Sequence, residues 1–116
     1  MTKASALCMK AAELVSGNRA STHGDKLENH ANIAALWNAF LGDRLPAGHK
    51  LTALDVALMM ALLKIARTKA GGHNPDDYVD LAGYAGCAGE IADLMAAAGA
   101  GPQSFELPPK AAGGGE

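Results

Sequence analysis

The sequence predicts an all-α fold, either a four-helix bundle or two packed helical hairpins, followed by a disordered C-terminal tail. Apolar residues recur at helical spacing in four successive segments, and short stretches with glycine, asparagine or proline separate them. No segment shows a strong strand pattern. At 116 residues the chain has the usual size of one domain, about 100–150 residues. We therefore expect one helical domain over residues 1–99 and a flexible, Pro/Gly-rich tail over 100–116.

The first two helices are predicted from apolar spacing and from the residues at their ends. Apolar residues follow a helical stripe between residues 4 and 16. After a polar, turn-rich stretch, Asp25 is well placed to cap a second helix, because a short polar side chain at that position can accept a backbone hydrogen bond. The second helix is predicted to run to Leu41, with Gly42 as its C-terminal stop.

The third helix is predicted to lie in the middle of the bundle. The run Thr52-Ala-Leu-Asp55 fits a capping box and marks its start. The segment from Val56 to Leu63 is apolar on every side, and a helix without a polar face needs neighbours all around it. Gly71 and Gly72 are predicted to end this helix.

The fourth helix is predicted to begin after Asn74-Pro75 and to continue to about Ala98. Glycine recurs at every third residue from 83 to 89, at a cost of about 1 kcal/mol each relative to alanine in a helix interior. Close packing of another helix would explain this surface. The neighbour could belong to the same chain or to a second subunit, and a homo-oligomer is expected. The predicted inward stripe of this helix consists of Leu81, Tyr84, Ala85, Ala88, Ile91, Ala92 and Met95.

Composition excludes several classes of function. The formal net charge of −2 provides no basic field for nucleic acid, so no direct nucleic-acid binding is expected. No apolar run approaches the roughly 20 residues that span a membrane, and no leader pattern appears at Met1. Cys8 and Cys87 lie far apart, which is typical of reduced, buried thiols in a cytoplasmic protein.

Asp77 and Asp80 are the strongest candidates for a functional site. Their i, i+3 spacing places both on one side of the fourth helix. Asp77 also suits a helix N-terminus, which attracts negative charge, and Asp80 could form a salt bridge with Lys64 or Arg67 at the end of the third helix. The functional interpretation is a carboxylate pair that holds Mg²⁺, with both cations binding phosphate.

The second helix and the loop before it could supply the opposite wall of such a site. Glu28 is the acid expected to complete the metal ligands, although solvation of an exposed face explains it equally well. Arg19 is a further candidate for phosphate binding. The four histidines form no zinc spacing, and no nucleophile motif or Walker-type loop is present.

Four blocks of sequence resemble, in order, a family of short helical proteins encoded mainly by bacteriophages and prophages. The resemblance as a whole covers most of residues 10–95. The blocks are Arg19-Ala-Ser-Thr-His-Gly-Asp25, Glu28-Asn-His-Ala-Asn-Ile-Ala-Ala-Leu-Trp37, Asp55-Val-Ala-Leu-Met-Met-Ala-Leu-Leu-Lys-Ile-Ala-Arg67 and Asp77-Tyr-Val-Asp-Leu-Ala-Gly-Tyr84.

This family more distantly resembles the MazG-type all-α nucleoside triphosphate pyrophosphohydrolases, whose helix-borne acids bind Mg²⁺ while water attacks the α-phosphate. The run Asp77-Tyr-Val-Asp80 matches the second half of that motif, ExxD, with aspartate in place of glutamate. The first half, EExxE, is absent. The resemblance implies that Glu28, Asp77 and Asp80 bind Mg²⁺, and that Glu28 and Asp80 are catalytic. Lys64, Arg67 and Arg19 would then bind the substrate phosphates.

The expected function is therefore hydrolysis of a (deoxy)nucleoside triphosphate to the monophosphate and pyrophosphate. Two alternatives remain open. The same site could belong to a binding module that captures a nucleotide or signal molecule without turning it over. The chain could also be an oligomeric accessory protein that docks on a host protein.

Overall fold

The computed structural model describes residues 2–16 and 25–99, and within them it confirms the all-α prediction. The described ranges contain four long helices and no strand. The predicted tail over 100–116 lies outside the described residues. The helices are α1 (Lys3–Ser16), α2 (Lys26–Leu41), α3 (Ala53–Arg67) and α4 (Pro75–Ala97), with a short 3₁₀ turn at Gly42–Arg44 after α2.

Helices α2 and α3 begin after the predicted capping residues, whereas α4 begins slightly earlier than predicted, at Pro75 with Asn74 as its N-cap. The side chain of Asp25 accepts a hydrogen bond of 3.0 Å from the backbone N–H of Leu27. Thr52 and Asp55 form the predicted capping box, in which the Thr52 N–H donates to Asp55 Oδ2 at 2.9 Å. Each cap satisfies backbone N–H groups that have no partner within the helix.

The predicted C-terminal end of α2 is confirmed, and the predicted C-terminal end of α3 is wrong. Gly42 caps α2 with a φ of +50°, a conformation that favours glycine. Helix α3 ends earlier than expected, because Arg67 is its last residue and Thr68 is its C-cap. Gly71 and Gly72 lie in the turn beyond it.

Helices α3 and α4 pack against each other at the centre of the fold. Helix α1 packs against α4, and α2 packs mainly against α3. Because α1 and α2 attach to different helices, a space remains between them. The main core cluster lies between the first turns of α3 and the second half of α4, and it consists of Ala53, Leu54, Ala57, Ala88, Ile91 and Met95.

The prediction that α3 is surrounded by neighbours is wrong for its second half. Residues 53–57 are buried, whereas Leu58 and Leu62 are 46% and 64% exposed. An apolar run predicts burial because exposed apolar area is unfavourable, but in this chain no described element covers that side. The all-round apolar pattern therefore marks a helix with one covered and one uncovered face.

The glycine face of α4 has an internal partner at one position. A Cβ atom on Gly83 would lie 3.4 Å from Val15 Cγ1, so α1 packs closely there. Nothing lies within 4 Å of such an atom at Gly86 or Gly89. Ala85, which was predicted to face inward, is exposed because it lies on the side of α4 that no described helix covers.

Both cysteines are free thiols, as predicted, but their burial differs from the prediction. Cys8 is exposed on α1 and Cys87 is partly buried on α4. None of the helices in the described ranges has the length and apolar character needed to cross a membrane.

Candidate functional site

A cavity of about 440 Å³ occupies the space between α1 and α2. Most of its wall is apolar. Val15 of α1, Ile33 of α2 and Val79 of α4 contribute to it, and Met60 is the contribution of α3. The polar residues among those lining it are Lys26, Asn29, His30, Asp80, Tyr84 and Cys87. Its volume lies within the roughly 300–1,000 Å³ of small-molecule sites, which are mostly apolar with a few polar groups.

Asp80 lines this cavity and forms an ion pair with Lys64, which is not itself one of the lining residues. Lys64 Nζ lies 3.1 Å from Asp80 Oδ2, which confirms one of the two predicted salt bridges. The Lys64 side chain is only 14% exposed, whereas that of Asp80 is 40% exposed. Asp80 therefore neutralises a lysine that is largely removed from water, and it retains an accessible side in the cavity wall.

Lys26 and His30 form the polar part of the α2 wall. Lys26 Nζ lies 3.4 Å from Glu90 Oε1, so an ion pair connects α2 with α4. His30 Nδ1 lies 2.7 Å from the backbone oxygen of Lys26. Because a carbonyl oxygen only accepts hydrogen bonds, Nδ1 must carry the hydrogen. In the neutral ring, Nε2 is then left as a hydrogen-bond acceptor.

Asp77 and Arg67 lie together, but at a second, smaller cavity. This cavity has a volume of about 210 Å³ and is lined by both residues and by the turn between α3 and α4. Asp77 is buried at 8% exposure in the first turn of α4, where Asn74 is the N-cap. A carboxylate at this position is stabilised by the positive end of the helix dipole. The structural explanation for Asp77 therefore holds regardless of any ligand.

The predicted metal ligands are not brought together. Glu28 is exposed on α2 and lines neither cavity, and Asp77 and Asp80 line different ones. Within residues 2–16 and 25–99, no three His, Cys, Asp or Glu side chains come close enough to hold a metal ion as a group. Arg19 lies outside the described residues. The donor set therefore does not fit the three-carboxylate Mg²⁺ site.

Sequence reasoning missed the α2 wall of the cavity. Lys26 and Asn29 were not considered, and His30 was interpreted as an ordinary polar side chain. Their spacing carries the signal, because positions i, i+3 and i+4 share one helix face, and Ile33 extends that face by a further turn. A polar turn that merges into an apolar turn on one face is typical of the rim of a pocket.

Comparison with known proteins identifies the family. Residues 6–92, more than half of the chain, match a family described as "Domain of unknown function (DUF6378)". The chain belongs to this DUF6378 family. The predicted resemblance to a phage-encoded family is supported by two relatives that are both phage proteins.

Both relatives carry the name Gene 55 protein. The protein of Mycobacterium phage L5 is 49% identical over 76 residues, which cover 66% of this chain and 46% of the relative. The protein of Mycobacterium phage D29 is 38% identical over 82 residues, covering 71% and 50% respectively. The chain thus spans about half the length of these relatives. No solved structure matches the chain.

Proposed function

We propose that the cavity between α1 and α2 binds a nucleotide or a related phosphorylated small molecule. The observation that supports this proposal is an open cavity of about 440 Å³ that has a mostly apolar wall, with Lys26 in the wall and Lys64 paired with the wall residue Asp80. An apolar wall with an aromatic side chain favours a planar base, and ammonium groups favour phosphate.

Each group in the wall has a role in this proposal. Tyr84 and Ile33 would contact the base. Lys26 and Lys64 would be drawn towards the phosphates, since each is already held near the cavity by a carboxylate. Mg²⁺ usually enters such sites bound to substrate phosphates and one or two carboxylates, and Asp80 is the carboxylate among the described lining residues. Such a ligand is available in the cytoplasm, which we propose as the location of the protein.

Hydrolysis of the bound nucleotide to the monophosphate and pyrophosphate is the second candidate function. The observation that favours it is the position of Asp80 in the cavity wall, on the helix whose Asp77-Tyr-Val-Asp80 run resembles part of the MazG-type motif. The separation of Asp77 and Glu28 from this cavity makes binding without turnover the better-supported function.

A thermal-shift panel tests the binding proposal. The purified chain is mixed with each nucleoside and deoxynucleoside triphosphate, with and without Mg²⁺. We expect at least one nucleotide to raise Tm by several degrees, because a ligand at about 100 times its Kd adds roughly 2.7 kcal/mol of stability. Lys26→Met should reduce this rise, because Lys26 lines the cavity, whereas Lys69→Met, an exposed lysine that lines neither cavity, should preserve it. Absence of a shift with every nucleotide would contradict binding.

Release of pyrophosphate separates the two candidate functions. If hydrolysis occurs, Asp80→Asn should abolish turnover, and Asp93→Asn on the exposed side of the same helix should leave it unchanged. A thermal shift without pyrophosphate release would establish the binding module. Turnover that survives Asp80→Asn would exclude Asp80 as a catalytic residue.

A further inference from the structure

The second half of α3 presents an uncovered apolar stripe, which we define as Leu58, Met59, Leu62, Leu63 and Ile65. Their exposed fractions are 46%, 40%, 64%, 45% and 42% respectively. Large apolar side chains often show some exposed area singly, but five on one helix form a contiguous patch. Such patches on soluble proteins are typical of interaction surfaces.

The stripe forms one continuous sector of the helix surface. At 3.6 residues per turn, its members occupy a sector of about 160°. Leu58, Leu62 and Ile65 follow one another at intervals of four and three residues, the spacing of a helix–helix seam. No charged residue lies between Asp55 and Lys64.

The residues of this sequence that lie outside the described ranges offer few large apolar side chains to such a stripe. Residues 1, 17–24 and 100–116 contain only three large apolar side chains, Met1, Phe105 and Leu107. Two of these lie two residues apart in a segment that is rich in glycine and proline. Covering five large side chains requires an apolar surface of comparable extent, which a second α3 provides.

We infer that the stripe is the interface of a homodimer in which the α3 helices of two copies pack against each other about a two-fold axis. An isologous contact pairs the same surface on both copies, so an uncharged stripe meets its own counterpart without repulsion. In the antiparallel arrangement, Leu62 lies near the axis.

The size of the stripe sets the expected affinity. A helix of 15 residues is about 22 Å long, and one face of it is smaller than the roughly 800 Å² per partner of a standard interface. We therefore expect dissociation in the micromolar range. This location differs from the glycine surface of α4, for which a second subunit was one of the two neighbours considered in the sequence analysis.

Sedimentation analysis of the full chain between about 1 and 200 µM, a range that spans a micromolar Kd, tests the inference. The average mass should rise from 11.8 kDa towards twice that value. Leu62→Glu should raise the concentration of half-association at least tenfold, because it places two carboxylates near the axis. Leu94→Glu, at a 40% exposed leucine of α4, is the matched control and should leave association unchanged.

Cross-linking locates the axis independently of any loss of stability. In a Cys8→Ser background, Leu62→Cys should form a disulfide between copies under mild oxidation, whereas Ala96→Cys on the exposed side of α4 should not. Circular dichroism of each variant is the control that its helical content is retained. A mass of 11.8 kDa at every concentration, or equal disruption by Leu62→Glu and Leu94→Glu, would overturn the inference.

Discussion

The two halves of α3 have the same apolar character and opposite surroundings. Residues 53–57 are buried, and Val56 and Ala57 are fully inaccessible, while most of the following eight residues are at least 40% exposed. The difference arises from the partners of each half. The second half of α4 covers the beginning of α3, and no described helix covers the outer side of its end. Apolar patterning thus predicts that a segment should be buried, but the tertiary arrangement determines whether another helix covers it.

Leucine truncation in the two halves should give the largest difference. Leu54→Ala should lower the free energy of unfolding by about 2–5 kcal/mol, because it leaves a cavity in the core. Leu62→Ala should cost less than about 1 kcal/mol when measured in urea at concentrations too low for association. Equal costs in dilute solution would show that both halves are buried within one chain.

Removal of a hydroxyl at each end of α3 should give the next largest difference. Thr52→Ala breaks the capping box and should cost about 1 kcal/mol, within a range of roughly 0.5–2. The matched change Thr68→Ala removes an exposed hydroxyl that donates to the Ile65 carbonyl at 2.7 Å, and it should cost less than about 0.5 kcal/mol. Urea midpoints of the two variants provide the comparison. A larger loss of stability in Thr68→Ala than in Thr52→Ala would contradict this prediction.

The smallest difference should separate two ion pairs. Lys64 and Asp80 connect the exposed half of α3 with α4, and their double-mutant cycle, Lys64→Met with Asp80→Asn, should give a coupling of about 0.5–1 kcal/mol. Lys10 and Asp76 are 3.7 Å apart at 61% and 68% exposure, so their coupling should be close to zero. If the coupling energy of Lys10 with Asp76 equals that of Lys64 with Asp80, solvent exposure does not determine the strength of these ion pairs.

Local signals in the sequence were enough to predict the fold class and most helix boundaries, although α3 ends before the predicted Gly71 and Gly72. Asp25, Thr52 and Gly42 act through neighbours a few residues away, so their roles could be inferred without knowing how the helices pack. The ion pair of Lys64 with Asp80 was also predictable, because the turn between α3 and α4 is short.

The composition of the cavity could not be predicted in the same way. Glu28 and Asp80 were predicted to share one site from residue type and the family resemblance, and the structure leaves Glu28 outside the cavity. The rotation of α2 about its axis decides which of its polar residues face α4, and this rotation is set by tertiary packing. Lys26 and His30 consequently line the wall, although no motif marked them.

An NMR titration of the isotopically labelled chain with nucleoside triphosphates tests the central claim most directly. Binding in the cavity should shift the backbone amide signals of Asn29, Val79 and Tyr84, and it should leave those of Leu58 and Leu62 on the opposite surface of α3 unchanged. Shifts confined to the stripe, or no shifts at millimolar nucleotide, would contradict the assignment of the cavity as a nucleotide site.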